Sequence, residues 1–232
     1  MIDRTTFEQS GFAVVPDVLT AAEVDTLLVA HAALEASQSS GRHAGIRNLL
    51  QESPTVAVIA SSSAVIPLVA TLLGDGAFRV RALFFDKTPD ANWKVPWHQD
   101  LAIAVRERVD TEDFTGWSVK DEVPHVHPPA AILARMVTVR LHLDDCWAEN
   151  GPLRVLPGSH RHGRLDQEAI TRCRSGAAEV VCTISRGGAL VMRPLLLHAS
   201  SAAIHPAHRR VLHLEYAAGP LPGALRWANA PG

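Results

Sequence analysis

Apolar and polar positions along the chain follow two rhythms, and the change falls near residue 76. In the first part apolar residues recur at helical spacing: Val24, Leu27, Leu28, His31 and Leu34 share one face at intervals of three, four and seven. Thr20 to Glu23, just ahead of them, reads as a capping box, with Leu19 and Val24 placed as its hydrophobic staple. A second apolar stretch, Val56 to Leu73, predicts one or two more helices, stopped at Gly74-Asp75-Gly76. Phe12 to Val15, closed by Pro16, reads as a short strand. The small, polar run Ser37 to Gly45 reads as a loop. Residues 1–76 therefore predict a mostly helical layer.

From Ala77 the period shortens to two. Phe78 to Phe85 is one strand. Ile132 to Leu143 contains another, in which Val137, Val139, Leu141 and Leu143 alternate with Thr138, Arg140 and His142. Leu153–Leu156, Val180–Ile184, Ala189–Met192, Leu195–His198 and Val211–Tyr216 complete the set, punctuated by Pro157-Gly158 and Arg186-Gly187-Gly188. Short strands between glycine and proline turns predict an all-β sandwich or barrel over residues 77–232. Residues 101–131 show no clear period. A loop of that length inside a compact domain points to a functional lid. No linker or internal repeat divides the 232 residues, so one domain is expected.

Composition narrows the function classes. Charged residues make up 20% and the net charge is −2, which gives no basic surplus for a nucleic-acid partner. No run of 18 apolar residues suggests a membrane span, and the N-terminus has no apolar signal-peptide core. Three cysteines, Cys146, Cys173 and Cys182, are too few and too irregular for a disulfide framework, which fits a reduced, cytoplasmic setting. Twelve histidines beside a single tyrosine direct attention to metal chemistry.

On a strand, residues i and i+2 face the same way, so a His-x-Asp pair can reach one ion. Two such pairs occur, His98/Asp100 and His142/Asp144, with His213/Glu215 as a variant. Twelve histidines and thirteen aspartates give roughly 0.7 such pairs by chance, so the pattern alone decides little. His98 sits where a strand-like segment meets the long loop, an edge at which an ion keeps open positions. His142 lies inside a strand, where pairing across the sheet is the simpler reading. His198 ends the apolar run Leu195–Leu197 and opens a small-residue loop. His98, Asp100 and His198 together match the two-histidine, one-carboxylate facial triad of non-haem iron(II) oxygenases. Arg209, eleven residues later and beside Arg210, is suited to bind a carboxylate with two parallel hydrogen bonds. A solvated Arg-Arg pair at a strand start is the alternative.

Four ordered motifs then carry a family resemblance: Trp97 to Asp100, Asn150 to His160, Leu197 to Ser200 with Arg209, and the opening Gly11 to Leu19. In them the chain resembles the phytanoyl-CoA dioxygenase family of Fe(II)/2-oxoglutarate oxygenases over nearly its whole length. The resemblance implies a double-stranded β-helix, a jelly roll of cupin type, mainly β with the helical layer at its N-terminus. It implies His98, Asp100 and His198 as iron ligands, and Arg209, helped by Ser200, as anchor of the distal carboxylate of 2-oxoglutarate. Leu83 and Arg140 fall where that family contacts the cosubstrate. Residues 116–124 resemble the ectoine-hydroxylase branch, whose members cover the substrate with this region. Trp97, Trp117, His125 and His127 are the substrate-lining candidates, the two histidines alternatively serving a second ion or a plain lid turn. The implied activity is hydroxylation of a C–H bond of a small molecule with Fe(II), 2-oxoglutarate and O2. A 2-oxoglutarate-independent metal cupin and a non-catalytic binding module are the competing classes, and Asp100 argues against a halogenase, which needs a small residue there. The lid candidate carries Arg106, Arg108 and Lys120 against Glu107, Asp110, Glu112, Asp113, Asp121 and Glu122. That acidic excess favours a neutral or amine-bearing substrate over a CoA thioester.

Overall fold

The computed structural model describes residues 2–37 and 45–229. The loop expected over Ser37–Gly45 lies almost wholly outside them. The chain opens with α1 (Arg4–Ser10), capped by the Asp3 side chain, and β1 (Phe12–Val15). Then come α2 (Ala21–Ser37), α3 (Leu49–Glu52), α4 (Pro54–Ile59) and α5 (Ile66–Leu73). The capping box forms: Glu23 accepts from the Thr20 amide at 2.8 Å, and the Glu23 amide donates to Thr20 Oγ1 at 3.3 Å.

β2 (Ala77–Lys87), β3 (Val95–His98), β4 (Ile103–Ala104), β5 (Thr115–Lys120) and β6 (Val123–His127) follow. After α6 (Ala130–Leu133) come β7 (Met136–His142) and β8 (Leu153–Val155). Next are α7 (Gln167–Gly176), β9 (Val180–Cys182), β10 (Ala189–Met192), β11 (His198–Ser200) and β12 (Arg209–Ala218). One antiparallel sheet has the order β1-β10-β7-β12-β2 and a second β3-β11-β8-β9; together they make the jelly roll. Residues 101–131, expected as a structureless loop, instead carry a third sheet, β4-β6-β5. Its strands are short, and β5 is exposed at five of six positions, so no two-residue alternation shows in the sequence. The strand expected at Leu195–His198 is also displaced. Arg193 to Leu197 make a buried turn, with the Leu196 amide on the Arg193 carbonyl, and pairing begins only at His198. An apolar run records burial and leaves pairing open.

The five-stranded sheet is buried on both faces. Its outer face, with Phe84, Val137, Val139, Leu141, Leu212, Leu214 and Tyr216, packs under Val24 and Leu27 of α2, Val56 of α4 and Leu68 and Val69 of α5. The Tyr216 hydroxyl donates to the Ala60 carbonyl at 2.7 Å, fastening sheet to helices. The alternate positions of the same strands face inward, and many of them are polar: Arg81 and Lys87 on β2, Thr138, Arg140 and His142 on β7, Arg209, His213 and Glu215 on β12. Cross-strand register stacks them in layers. Lys87 stands opposite Arg209, Leu83 opposite His213, Arg81 opposite Glu215, and Arg140 opposite His213 on the other side. Burying this many polar groups is unfavourable unless each finds a partner or a ligand, which marks the inner face as the place to look for chemistry.

Candidate active site

β3 and β11 run antiparallel, and their register sets His98 directly opposite His198. The two imidazole centroids are 4.2 Å apart. Each ring is fixed by the same local device. His98 Nδ1 donates to the Pro96 carbonyl at 2.8 Å, and His198 Nδ1 to the Leu196 carbonyl at 2.9 Å. With the proton on Nδ1, each Nε2 carries a free lone pair. Both nitrogens face Asp100, His98 Nε2 at 3.7 Å from Oδ1 and His198 Nε2 at 3.7 Å from Oδ2. The Asp100 amide is held by the Pro194 carbonyl at 2.9 Å, which ties the end of β3 to the turn before β11.

Electrostatics keep Asp100 and His198 in ligand form. Burial would raise the Asp100 pKa, but attraction to the protonated forms of His198, His213 and His98 and to Arg140 outweighs it and holds the carboxyl down at about 2. Burial pushes His198 down to about 4, against the pull of Asp100, so its imidazole is neutral at pH 7. Asp100 Oδ2 is buried with no hydrogen-bond partner. Two imidazole nitrogens and a carboxylate oxygen that converge without hydrogen-bonding one another are what a divalent cation requires, and the donor set suits iron(II).

The cavity beside them is lined by Phe85, Lys87, Trp93, Arg140, Ser200, Arg209 and His213, among others. Its far end is cationic. Lys87 Nζ donates to Ser200 Oγ at 3.0 Å and to the Ser201 carbonyl at 2.8 Å. Arg209 Nη1 donates to the Gly151 carbonyl, and Arg209 Nε is buried without a partner. Arg210, on the other face of β12, is taken by Asp144 with bonds of 2.9 and 2.6 Å. Arg140 Nη1 sits 2.7 Å from His213 Nδ1; His213 Nε2 meets Glu215 at 3.1 Å, and Glu215 pairs with Arg81.

The structure thus brings His98, Asp100, His198, Ser200, Arg140 and Arg209 to one cavity. Leu83 lies buried on the same inner strand face, between Arg81 and Phe85, outside the cavity lining. Trp97 points the other way. It packs with Leu156, Ile170 and Leu197, with Arg154 and Arg174 5.5 and 5.6 Å from its ring. Adjacent strand residues face opposite sides, so His98 inside puts Trp97 outside. Trp117 packs on the apolar cluster that contains Ile103, Phe114 and Val126, with Arg108 over its ring at 5.4 Å. His125 is buried in the lid sheet, Nδ1 on the Val123 carbonyl at 2.9 Å and Nε2 without a partner. His127 is half-buried behind Gly116. Neither belongs to the two groups of potential metal ligands among the described residues. The six lid acids are all solvent-exposed, so the lid's negative excess does not describe the cavity, whose lining is Lys87, Arg140 and Arg209 against Asp100. Sequence reading missed Lys87, Phe85 and Trp93. Continuing the β2 alternation two positions past Phe85 would have found Lys87.

The family model described as phytanoyl-CoA dioxygenase matches residues 7–211. An ectoine dioxygenase of Sphingopyxis alaskensis is 24% identical over 244 residues, covering 90% of this chain and 73% of that one. Its crystal structure with 2-oxoglutarate and 5-hydroxyectoine superposes with a TM-score of 0.72 at 24% identity, over 93% of this chain and 75% of that one. The epimerase SnoN, in complex with Fe3+, alpha-ketoglutarate and nogalamycin RO, gives 0.73 at 18% identity, over 99% and 94%.

Proposed function

The chain belongs to the phytanoyl-CoA dioxygenase family and is an Fe(II)/2-oxoglutarate-dependent dioxygenase, and from that premise we propose which of its residues do the work. His98, Asp100 and His198 hold the iron. Arg209, Lys87 and Ser200 hold the distal carboxylate of 2-oxoglutarate. The observation that carries this reading is the pair of imidazoles with Nδ1 tied to backbone carbonyls and Nε2 turned on Asp100.

When bound, ferrous iron with 2-oxoglutarate and O2 supplies the oxidant that hydroxylates a substrate C–H bond, 2-oxoglutarate leaving as succinate and CO2. The chain's own part is position and charge. Arg209 offers a guanidinium fork and Lys87 a point charge to one carboxylate, and Ser200 links the two sides of the cavity. Arg140, buried and braced by His213, adds positive charge along the cavity wall facing the dianion. The substrate is a small organic molecule.

Succinate release from 2-oxoglutarate, with and without Fe(II), tests the activity, and bound iron tests the ligands. His98→Ala, Asp100→Ala and His198→Ala are each expected to lose stoichiometric iron and at least 100-fold in succinate release. His142→Ala, on the other sheet and outside the cavity lining, retains iron. Loss of iron from His142→Ala with retention in His98→Ala would overturn the ligand set.

A further inference from the structure

The outer face of the five-stranded sheet carries a second group of metal-type side chains, on the side away from the cavity. His31 on α2 is 3% exposed, its ring edge-on to Phe84 at 4.9 Å. Glu35 lies one turn further along the same helix face, with Oε2 3.4 Å from His31 Nδ1. Asp86, two positions after Phe84 on β2, completes the group, and one ligand atom from each of the three lies within 4.8 Å of the others.

Asp86 supplies an independent reason to look for a cation. Its side chain is 9% exposed, and among the described residues no lysine or arginine forms an ion pair with it. Oδ2 meets His208 Nδ1 at 2.7 Å, and Oδ1 accepts from the Arg209 amide at 3.3 Å. Arg210 is near enough for its charge to act with both Asp86 and Glu35, but its guanidinium is committed to Asp144 by two bonds. Among the described residues the partners of Asp86 are one imidazole and one backbone amide, so a bound cation would supply permanent positive charge that they do not. Burial pushes the His31 pKa down, toward the neutral form that a metal ligand takes.

We propose that His31, Glu35 and Asp86 form a second metal site for a divalent transition-metal ion of the zinc type, with His208 bracing Asp86 from outside. One imidazole and two carboxylates neutralise a divalent charge and leave positions for water on the exposed Glu35 side. The place gives the ion a structural task. Lys87 follows Asp86 and Arg209 follows His208, so the ion would pin α2 against the strand ends that carry two of the cosubstrate anchors. This site does not depend on the chemistry assigned to the first one.

The test loads tag-free, chelator-stripped protein with Zn2+, removes excess by gel filtration and measures bound zinc by mass spectrometry. The wild-type chain is expected to retain two equivalents and Glu35→Gln one. A His98→Ala/Asp100→Ala variant, with the first centre disabled, retains one, and adding Glu35→Gln to it leaves none. Zn2+ raises the melting temperature of the double variant and does not move that of the triple variant. Glu35 is exposed, so its replacement leaves folding intact. No zinc on the double variant, or one equivalent remaining on the triple variant, would overturn the proposal.

Discussion

Lys87 has 2% of its surface exposed and sits in a cavity with Arg209 and Arg140. Burial, and then the charge of Arg209, push its pKa down from 10.5 to about 7. The sign of the consequence is fixed by linkage. Between about 7 and 10.5 the folded empty protein binds fewer protons at Lys87 than the unfolded chain, so this residue makes stability rise with pH over that window. A dianion bound at Lys87 recharges the amine and takes up a proton. Affinity for 2-oxoglutarate is therefore expected to fall from pH 7 to pH 9, approaching tenfold per unit above the folded pKa. Calorimetric titration at several pH values checks this, and Lys87→Met should weaken binding at pH 7 and flatten the slope. At this scale the sequence was partly legible. His98, Asp100, His198 and Arg209 stand out by spacing and motif, and they meet at one cavity. Trp97 was misplaced because neighbours on a strand face opposite sides, and a single sequence does not say which side is in.

At the scale of elements, the alternation in Ile132–Leu143 gave the strand but not its orientation to water. Thr138, Arg140 and His142 look like a solvent face; in the molecule all three are buried and face the second sheet. The polar row is the inside because the helices, contributed by residues before 76, cover the apolar row. Connections matter equally. Gly151, between β7 and β8, has a φ of +62°, and a Cβ there would lie 2.6 Å from the Ser201 carbonyl oxygen. Its own carbonyl receives Arg209. Gly151→Ala adds strain in the left-handed region and pushes the backbone off either Ser201 or Arg209. Binding of 2-oxoglutarate is expected to weaken about tenfold, a shift of roughly 1.4 kcal/mol, while iron is retained; parallel titrations of iron and cosubstrate separate the two.

The molecule as a whole is held by pairings distant in sequence. His98 and His198 meet only because β3 lies beside β11, and Lys87 meets Arg209 only because β2 lies beside β12. Short-range periodicity carries no record of such pairings, which is why ordered motifs indicated the jelly roll when strand patterns alone left sandwich and barrel equal. The same long-range closure makes the ligands part of the fold's stability. Anything that binds the folded chain alone adds RT ln(1 + [L]/Kd), about 2.7 kcal/mol at 100 times Kd. Stripping metal with a chelator is expected to lower the melting temperature. Iron substitutes such as Mn2+ should raise it, and 2-oxoglutarate should raise it further only when the metal is present. Scanning calorimetry of the four combinations checks the order.

The β5–β6 hairpin turns on Asp121 and Glu122, both left-handed with φ of 46° and 65°. Two-residue hairpins of this shape favour glycine or asparagine, and Glu122 holds a conformation that disfavours a side chain by roughly 1–2 kcal/mol. Arg47 and Asn48 grip the tip, donating to Asp121 Oδ2 at 2.9 Å and to its carbonyl at 3.0 Å. The turn therefore carries local backbone strain at Glu122 that two side chains from the helical layer help to hold. Glu122→Gly relaxes the strain and leaves the grip. Exchange of the Val123–His127 amides with deuterated solvent should then slow.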